Sequence, residues 1–332
     1  MGATEKRARW WNPDILSYFV AGGIAGAASR TVVSPLERLK IIQQVQPITR
    51  DGQYRGVWRS LVRMWKEEGF KGYMRGNGIN CLRIVPYSAV QFTTYEQLKK
   101  FFTCYGAKEL DTPKRLASGA LAGVTSVCST YPLDLVRARL SIATASIPVQ
   151  SMSLSKLDTS TYGMERRSHA VSTSRAIYKE ADLSMVGMTI KIIREEGGVH
   201  ALYRGLVPTA LGVAPYVGIN FAAYEAFRGI ITPPGKDTIG RKLLCGALAG
   251  SISQTLTYPF DVLRRRMQVV GMSSGGLGYK YKGALDALMT IARTEGLRGL
   301  YRGLWPNLLK VAPSVATSFF TYEFVKEYLI AC

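Results

Sequence analysis

One pattern, met three times, limits what this chain can fold into. Proline, an acid two residues on and a base three after that recur as Pro35–Glu37–Lys40, Pro132–Asp134–Arg137 and Pro259–Asp261–Arg264. Each copy follows a long apolar run. An acid and a base three apart lie on one face of a helix, and a proline inside a helix kinks it. Three such helices around an axis bring three acids and three bases into one ring.

The rest of the chain repeats in the same register. Glycines four apart precede each proline, the second of each pair nine residues before it: Gly22–Gly26, Gly119–Gly123 and Gly246–Gly250. Such pairs let helix backbones approach closely in lipid. A polar, basic stretch follows, ending in Glu68-Gly69…Arg75-Gly76, Glu196-Gly197…Arg204-Gly205 and Glu295-Gly296…Arg302-Gly303. The residues ahead of each Glu-Gly are amphipathic, as in a short helix at a membrane surface. A second apolar run then ends in Tyr95-Glu96…Lys99, Tyr224-Glu225…Arg228 and Tyr322-Glu323…Lys326.

Six spans result, near 15–43, 76–101, 114–141, 206–230, 240–268 and 304–330, each long enough to cross a bilayer at about 1.5 Å per residue. The expected fold is an all-α membrane protein: six transmembrane helices in three pseudo-symmetric repeats, each with a short surface helix. The expected units are a tail over 1–14 and repeats over 15–105, 112–230 and 238–332. The 83 residues from Pro132 to Pro215 exceed the 51 and 54 that separate the matching prolines of the other units. The surplus, about 142–185, is rich in Ser and Thr and reads as a flexible loop.

Composition narrows the function. A mean hydropathy of only +0.04 fits helices with one face to lipid and one to a wet interior. A net charge of +20 suits nucleic acid, an anionic membrane or an anionic small molecule. The five cysteines are scattered without a CxxC, and only His169 and His200 exist, so no metal or cofactor site is expected. The first 14 residues lack a signal-peptide core. A nucleic-acid binder is disfavoured because the bases are spread over loops and rings. An enzyme is disfavoured by the lack of a nucleophile–base constellation.

Over essentially its whole length, from about Ser17 to Leu329, this chain resembles the mitochondrial carrier family, whose signatures are these three motif types in threefold register. The resemblance implies a monomeric, multi-pass protein of the mitochondrial inner membrane, working by alternating access between two gates. The matrix gate would pair Lys40 with Asp134, Arg137 with Asp261 and Arg264 with Glu37. Braces beneath it map to Gln44 and Gln268, each nine after its proline, while unit two departs with Ser141. The cytoplasmic gate would pair Glu96 with Arg228, Glu225 with Lys326 and Glu323 with Lys99. Charges at membrane depth are costly unless paired or wet; making one ring while breaking the other balances the two costs. Cardiolipin is implied at the helix N-termini after Gly76, Gly205 and Gly303.

The substrate is argued from the charges that the gates leave over. Within the spans these are Arg30, Arg83 and Lys310, with no leftover acid. Arg83 and Lys310 each stand three before a proline, and the matching depth in unit two is Gly212-Val213. Two cations beside an apolar slot suit a molecule with an anionic end and a planar end. Asn80, Tyr87, Gln91, Asn220 and Gln254 are further candidate contacts. A glycine followed by an aliphatic at this depth resembles carriers of adenine nucleotides. The stretches Ser29–Pro35 and Arg75–Phe92 are similar to the fungal carriers of adenosine 5′-phosphosulfate and 3′-phospho-adenosine 5′-phosphosulfate. Carriers of coenzyme A or adenosine 3′,5′-bisphosphate, and calcium-independent ATP-Mg/phosphate carriers, share much of the pattern.

Overall fold

The computed structural model describes residues 13–46, 54, 56–104, 112–143, 145, 180–231, 239–270, 281 and 283–331. Most of the expected tail over 1–14, and of the expected flexible loop over 142–185, lies outside the described residues.

All regular structure among the described residues is helical. The first long apolar stretch of each repeat forms α1 (Pro13–Val45), α4 (Thr112–Ala143), and the pair α7 (Ile239–Leu256) and α8 (Tyr258–Val269). The second is α3 (Asn77–Cys104), α6 (Leu206–Ile231), and the pair α10 (Leu304–Leu309) and α11 (Val311–Ala331). Between them lie α2 (Val57–Tyr73), α5 (Met185–Glu195) and α9 (Ala284–Leu300). The prolines act unequally. Pro35 and Pro132 sit inside continuous helices, whereas the helix ahead of Pro259 breaks at Thr257.

The helices follow one another round a ring, with α3 against α4, α6 against α7 and α11 against α1. At the proline end α1, α4 and α8 also meet one another. Among the described residues, Val199–Ile231, which contains α6, is the one segment long and apolar enough to cross a membrane by length and composition alone. The other long helices carry Ser and Thr whose hydroxyls bond back to the carbonyl four residues earlier. Thr31 does so to Ala27, Ser126 to Ala122, Thr130 to Ser126, Ser253 to Ala249 and Thr257 to Ser253. Their polarity is met within the helix.

The connecting helices do more than lie flat on a surface. Each buries one face against the end of its own unit's first helix. Met64 of α2 packs with Leu39, Ile42 and Val45; Met188 and Ile192 of α5 pack with Leu135 and Leu140; Ala287 and Ile291 of α9 pack with Leu263. The opposite faces expose Trp58 and Trp65, Val186 and Ile190, and Leu285 and Met289.

The glycine pairs behave differently from expectation. A methyl on Gly26 would stand 3.7 Å from Ile84 and one on Gly123 3.1 Å from Val213, but Gly22, Gly119, Gly246 and Gly250 face open space. The first spans converge at their proline ends, so the glycine halves stand apart in this state.

Gly205 and Gly303 are required by their surroundings. Both have a left-handed backbone (φ 86° and 81°) and lie against the next unit's first helix. A methyl on Gly303 would stand 2.9 Å from Tyr258 Oη and 3.0 Å from the Lys40 carbonyl oxygen. Gly303→Ala is expected to cost about 1–3 kcal/mol, read as a lower melting temperature of the purified protein.

Candidate substrate site and charge ring

The three acids and three bases of the proline motifs do meet, but in the opposite sense to the expected pairing. Glu37 binds Arg137, Asp134 binds Arg264 (2.9 Å) and Asp261 binds Lys40 (2.9 Å). Each acid therefore takes the base of the following unit, not the reverse. Spacing alone does not decide this. A base three residues on is rotated about 60° from its acid around the helix, so the two face different neighbours. Which neighbour each faces depends on the order in which the helices run around the axis.

The brace positions lie beside the ring. Gln268 donates to both Asp134 and Tyr131, each at 3.1 Å, and Gln44 donates to Tyr258 at 3.1 Å. The Ser141 hydroxyl bonds back to the Arg137 carbonyl of its own helix. The tyrosines tie the braces to the next connection, as Tyr131 Oη donates to the Arg204 carbonyl and Tyr258 Oη to that of Arg302.

A second threefold network lies behind the first, and the sequence reading missed it. Arg38, Arg139 and Arg266 are almost fully buried and form ion pairs with Glu68, Glu196 and Glu295 of the Glu-Gly motifs. Their Nε atoms donate to the carbonyls of Ser141, Gln268 and Gln44 at 2.9–3.1 Å. Those are the three brace positions. Each arginine thus welds its own connection to the end of the next unit's first helix, where a cation also complements the helix dipole. The signal was present in the thrice-repeated Glu-Gly. It was obscured because Arg38 stands three residues after its proline and the other two stand seven after theirs. Positions four apart share a helix face, so all three reach the same place.

The three bases read as unpaired are partnered in this state. Arg30 and Lys310 each reach Glu37 at 3.3 Å, and Arg83 stands 3.6 Å from Asp134 while lying over the Tyr87 ring. Two further contacts are taken within the ring: Asn80 donates to Glu37 (3.1 Å) and Gln254 to Asp261 (2.9 Å). Arg265, also missed, donates to Asp134 and to Gln268.

The result is a cavity of about 220 Å³ floored by Arg30, Lys40, Arg83, Arg137, Arg264, Arg265 and Lys310. Seven bases face two acids in its lining, Glu37 and Asp261, with Asp134 just behind Arg83. Such an excess at membrane depth favours an anion strongly. Opening beside it is a second space of about 160 Å³, lined by Val127, Gly212, Val213, Tyr216 and Phe260 and sharing Gln254, Asp261 and Arg264 with the first. Gly212 lines this space and is also closely approached. The side chain of Phe260 fills the space over it, 3.1 Å from where a methyl would stand, so the glycine serves a close approach of α6 and α8.

At the far end, among the described residues, no ion pair joins Glu96 to Arg228 or Glu323 to Lys99. Glu96, Lys99, Glu225, Arg228 and Glu323 are exposed and Lys326 is half-buried. The bundle is closed at the proline end and open at the other.

Comparison with known proteins fits this threefold build. The family described as "Mitochondrial carrier protein" matches the chain three times, over residues 12–106, 108–234 and 235–331. The chain belongs to the mitochondrial carrier family. Its members are transporters of mitochondrial membranes, not enzymes. A protein of Saccharomyces cerevisiae described as an uncharacterized mitochondrial carrier is 47% identical over 92% of this chain and 90% of its own length. The mitochondrial adenine nucleotide transporter ADNT1 of Arabidopsis thaliana is 39% identical, covering 95% of this carrier and 88% of its own length. The mitochondrial carrier protein CoAc1 of Zea mays is 38% identical over 96% and 88%.

Proposed function

We propose that this carrier exchanges adenine-containing anions across the mitochondrial inner membrane by alternating access. The observation behind this reading is the basin of seven bases opening directly onto an apolar slot with two aromatic rings. The basin suits phosphate or sulfate groups, which arginines grip bidentately, and the slot suits a purine. Similarity to a protein named as an adenine nucleotide transporter points the same way. Adenosine 5′-phosphosulfate and 3′-phospho-adenosine 5′-phosphosulfate are the first candidates; coenzyme A and ATP carry the same two chemical ends.

In this reading the proline-motif ring is the matrix gate, and the six charges of the second spans close the cytoplasmic gate when the first ring opens. Arg30, Arg83 and Lys310 bind the anionic end of the substrate, with Gly212 and Val213 at its planar end. Cardiolipin phosphates sit at the helix N-termini after Gly76, Gly205 and Gly303, and the carrier works as a monomer.

Melting of the purified protein with a panel of anions tests the substrate class, because a ligand that binds the folded state raises its stability. The phosphosulfates, ATP and coenzyme A are expected to raise the melting temperature well above inorganic phosphate and citrate. Equal shifts from all of them would remove the adenine from the account.

A further inference from the structure

The three junctions of the ring are not built alike. Asp134–Arg264 is supported by Arg265 and by Gln268, which is itself tied to Tyr131. Asp261–Lys40 lies beside the Gln44–Tyr258 link. At Glu37–Arg137 both corresponding positions are serine. Ser141 bonds back to Arg137 at 2.8 Å, and Ser34, the residue before Pro35, donates to the Tyr73 carbonyl at 2.9 Å. The Tyr–Gln link is thus absent at one junction, from both of its ends.

Glu37 collects other partners there. Asn80 reaches it from α3, Arg30 from two turns earlier on α1, and Lys310 from the break between α10 and α11. Two of these, Arg30 and Lys310, also line the anion basin. Asp261 offers the contrast. Gln254 holds the place seven residues before it that Arg30 holds before Glu37, and Gly212 holds the place that Lys310 holds in unit three. Asp261 is therefore tied to neither kind of site base.

We propose that Glu37 senses the ligand: Arg30 and Lys310 stand in for the missing link, and an anion that draws both from Glu37 parts the ring first between units one and two. This rests on the reading of the basin as an anion site, but does not need an adenine. Without ligand, the two bases and Arg137 share one buried carboxylate, and the junction stays shut. A bound anion competes for Arg30 and Lys310 and leaves the Glu37–Arg137 pair with neither brace nor extra cations. The energy of binding is thereby spent at the weakest of the three junctions.

Calorimetric binding of ATP, and separately of inorganic tripolyphosphate, to purified full-length protein tests this with Glu37→Gln and Asp261→Asn. Both substitutions delete one ring pair and free its base, Arg137 or Lys40, but only the first also frees Arg30 and Lys310. Glu37→Gln is expected to bind both probes about three- to tenfold more tightly than Asp261→Asn does, because two further, partly exposed ion pairs no longer compete. Equal changes in the two variants, or weaker binding by Glu37→Gln, overturn the proposal. Tighter tripolyphosphate binding with no ATP binding would uphold the sensor and remove the adenine reading. A second variant, Ser34→Tyr with Ser141→Gln, restores the missing link. It is expected to melt higher and to exchange substrate about fivefold more slowly. A higher melting temperature with undiminished exchange shows that the ring does not open there.

Discussion

Lys310→Ala, and separately Arg83→Ala, is expected to lower substrate uptake by about 100-fold, the scale of one lost hydrogen-bonded charge contact of about 3 kcal/mol, while the melting temperature changes little. Neither base is essential to the closed ring. Without Lys310, Glu37 keeps Arg137, Arg30 and Asn80. Without Arg83, Asp134 keeps Arg264, Arg265 and Gln268. The loss therefore falls on the substrate. Arg30→Ala should cost less, because its side chain is 42% exposed against 25% for Lys310 and 21% for Arg83. Initial rates in proteoliposomes and melting curves on the same preparations check both halves. Near-normal uptake by both variants would remove the basin from the transport path.

The largest loss of stability is expected from Arg266→Ala. Arg266 is 1% exposed and holds both oxygens of Glu295 and the Gln44 carbonyl. Removing one partner of a buried pair leaves an uncompensated charge, at about 3–5 kcal/mol. It also unties α9 from the end of α1. The pair itself is worth less than its breaking, since two buried ions are costly to desolvate. Arg266→Met combined with Glu295→Leu should therefore recover much of the single-variant loss. Melting temperatures of the single and double variants measure this directly, and simple additivity would show that the two side chains do not act together.

Much of this architecture was legible because threefold repetition makes weak signals mutually supporting. One Pro-x-acid-x-x-base motif is unremarkable, but three in register pointed to the helices and the ring. The limits were geometric. The partner of each ring charge depends on the order of helices around the axis, which the spacing of Glu37 and Lys40 does not encode. Arg30, Arg83 and Lys310 looked unpaired because every acid in the spans was assigned to a gate base, whereas Glu37 and Asp134 each take more than one. A long side chain spans a helical turn, and these bases reach acids deeper in the bundle. The buried arginines were hidden by a register shift of one turn between Arg38 and its two counterparts. Arg265 was hidden by standing next to a ring member.

Counter-exchange is the most direct measurement of the central claim. Liposomes bearing the purified carrier would be loaded with adenosine phosphosulfates, ATP, coenzyme A, inorganic phosphate or buffer alone, and the entry of labelled ATP followed. Rapid entry into liposomes that hold an adenine-containing anion, and little into those holding phosphate or buffer, is the predicted result. Entry at one common rate, whatever the liposomes contain, would contradict both the exchange and the adenine slot.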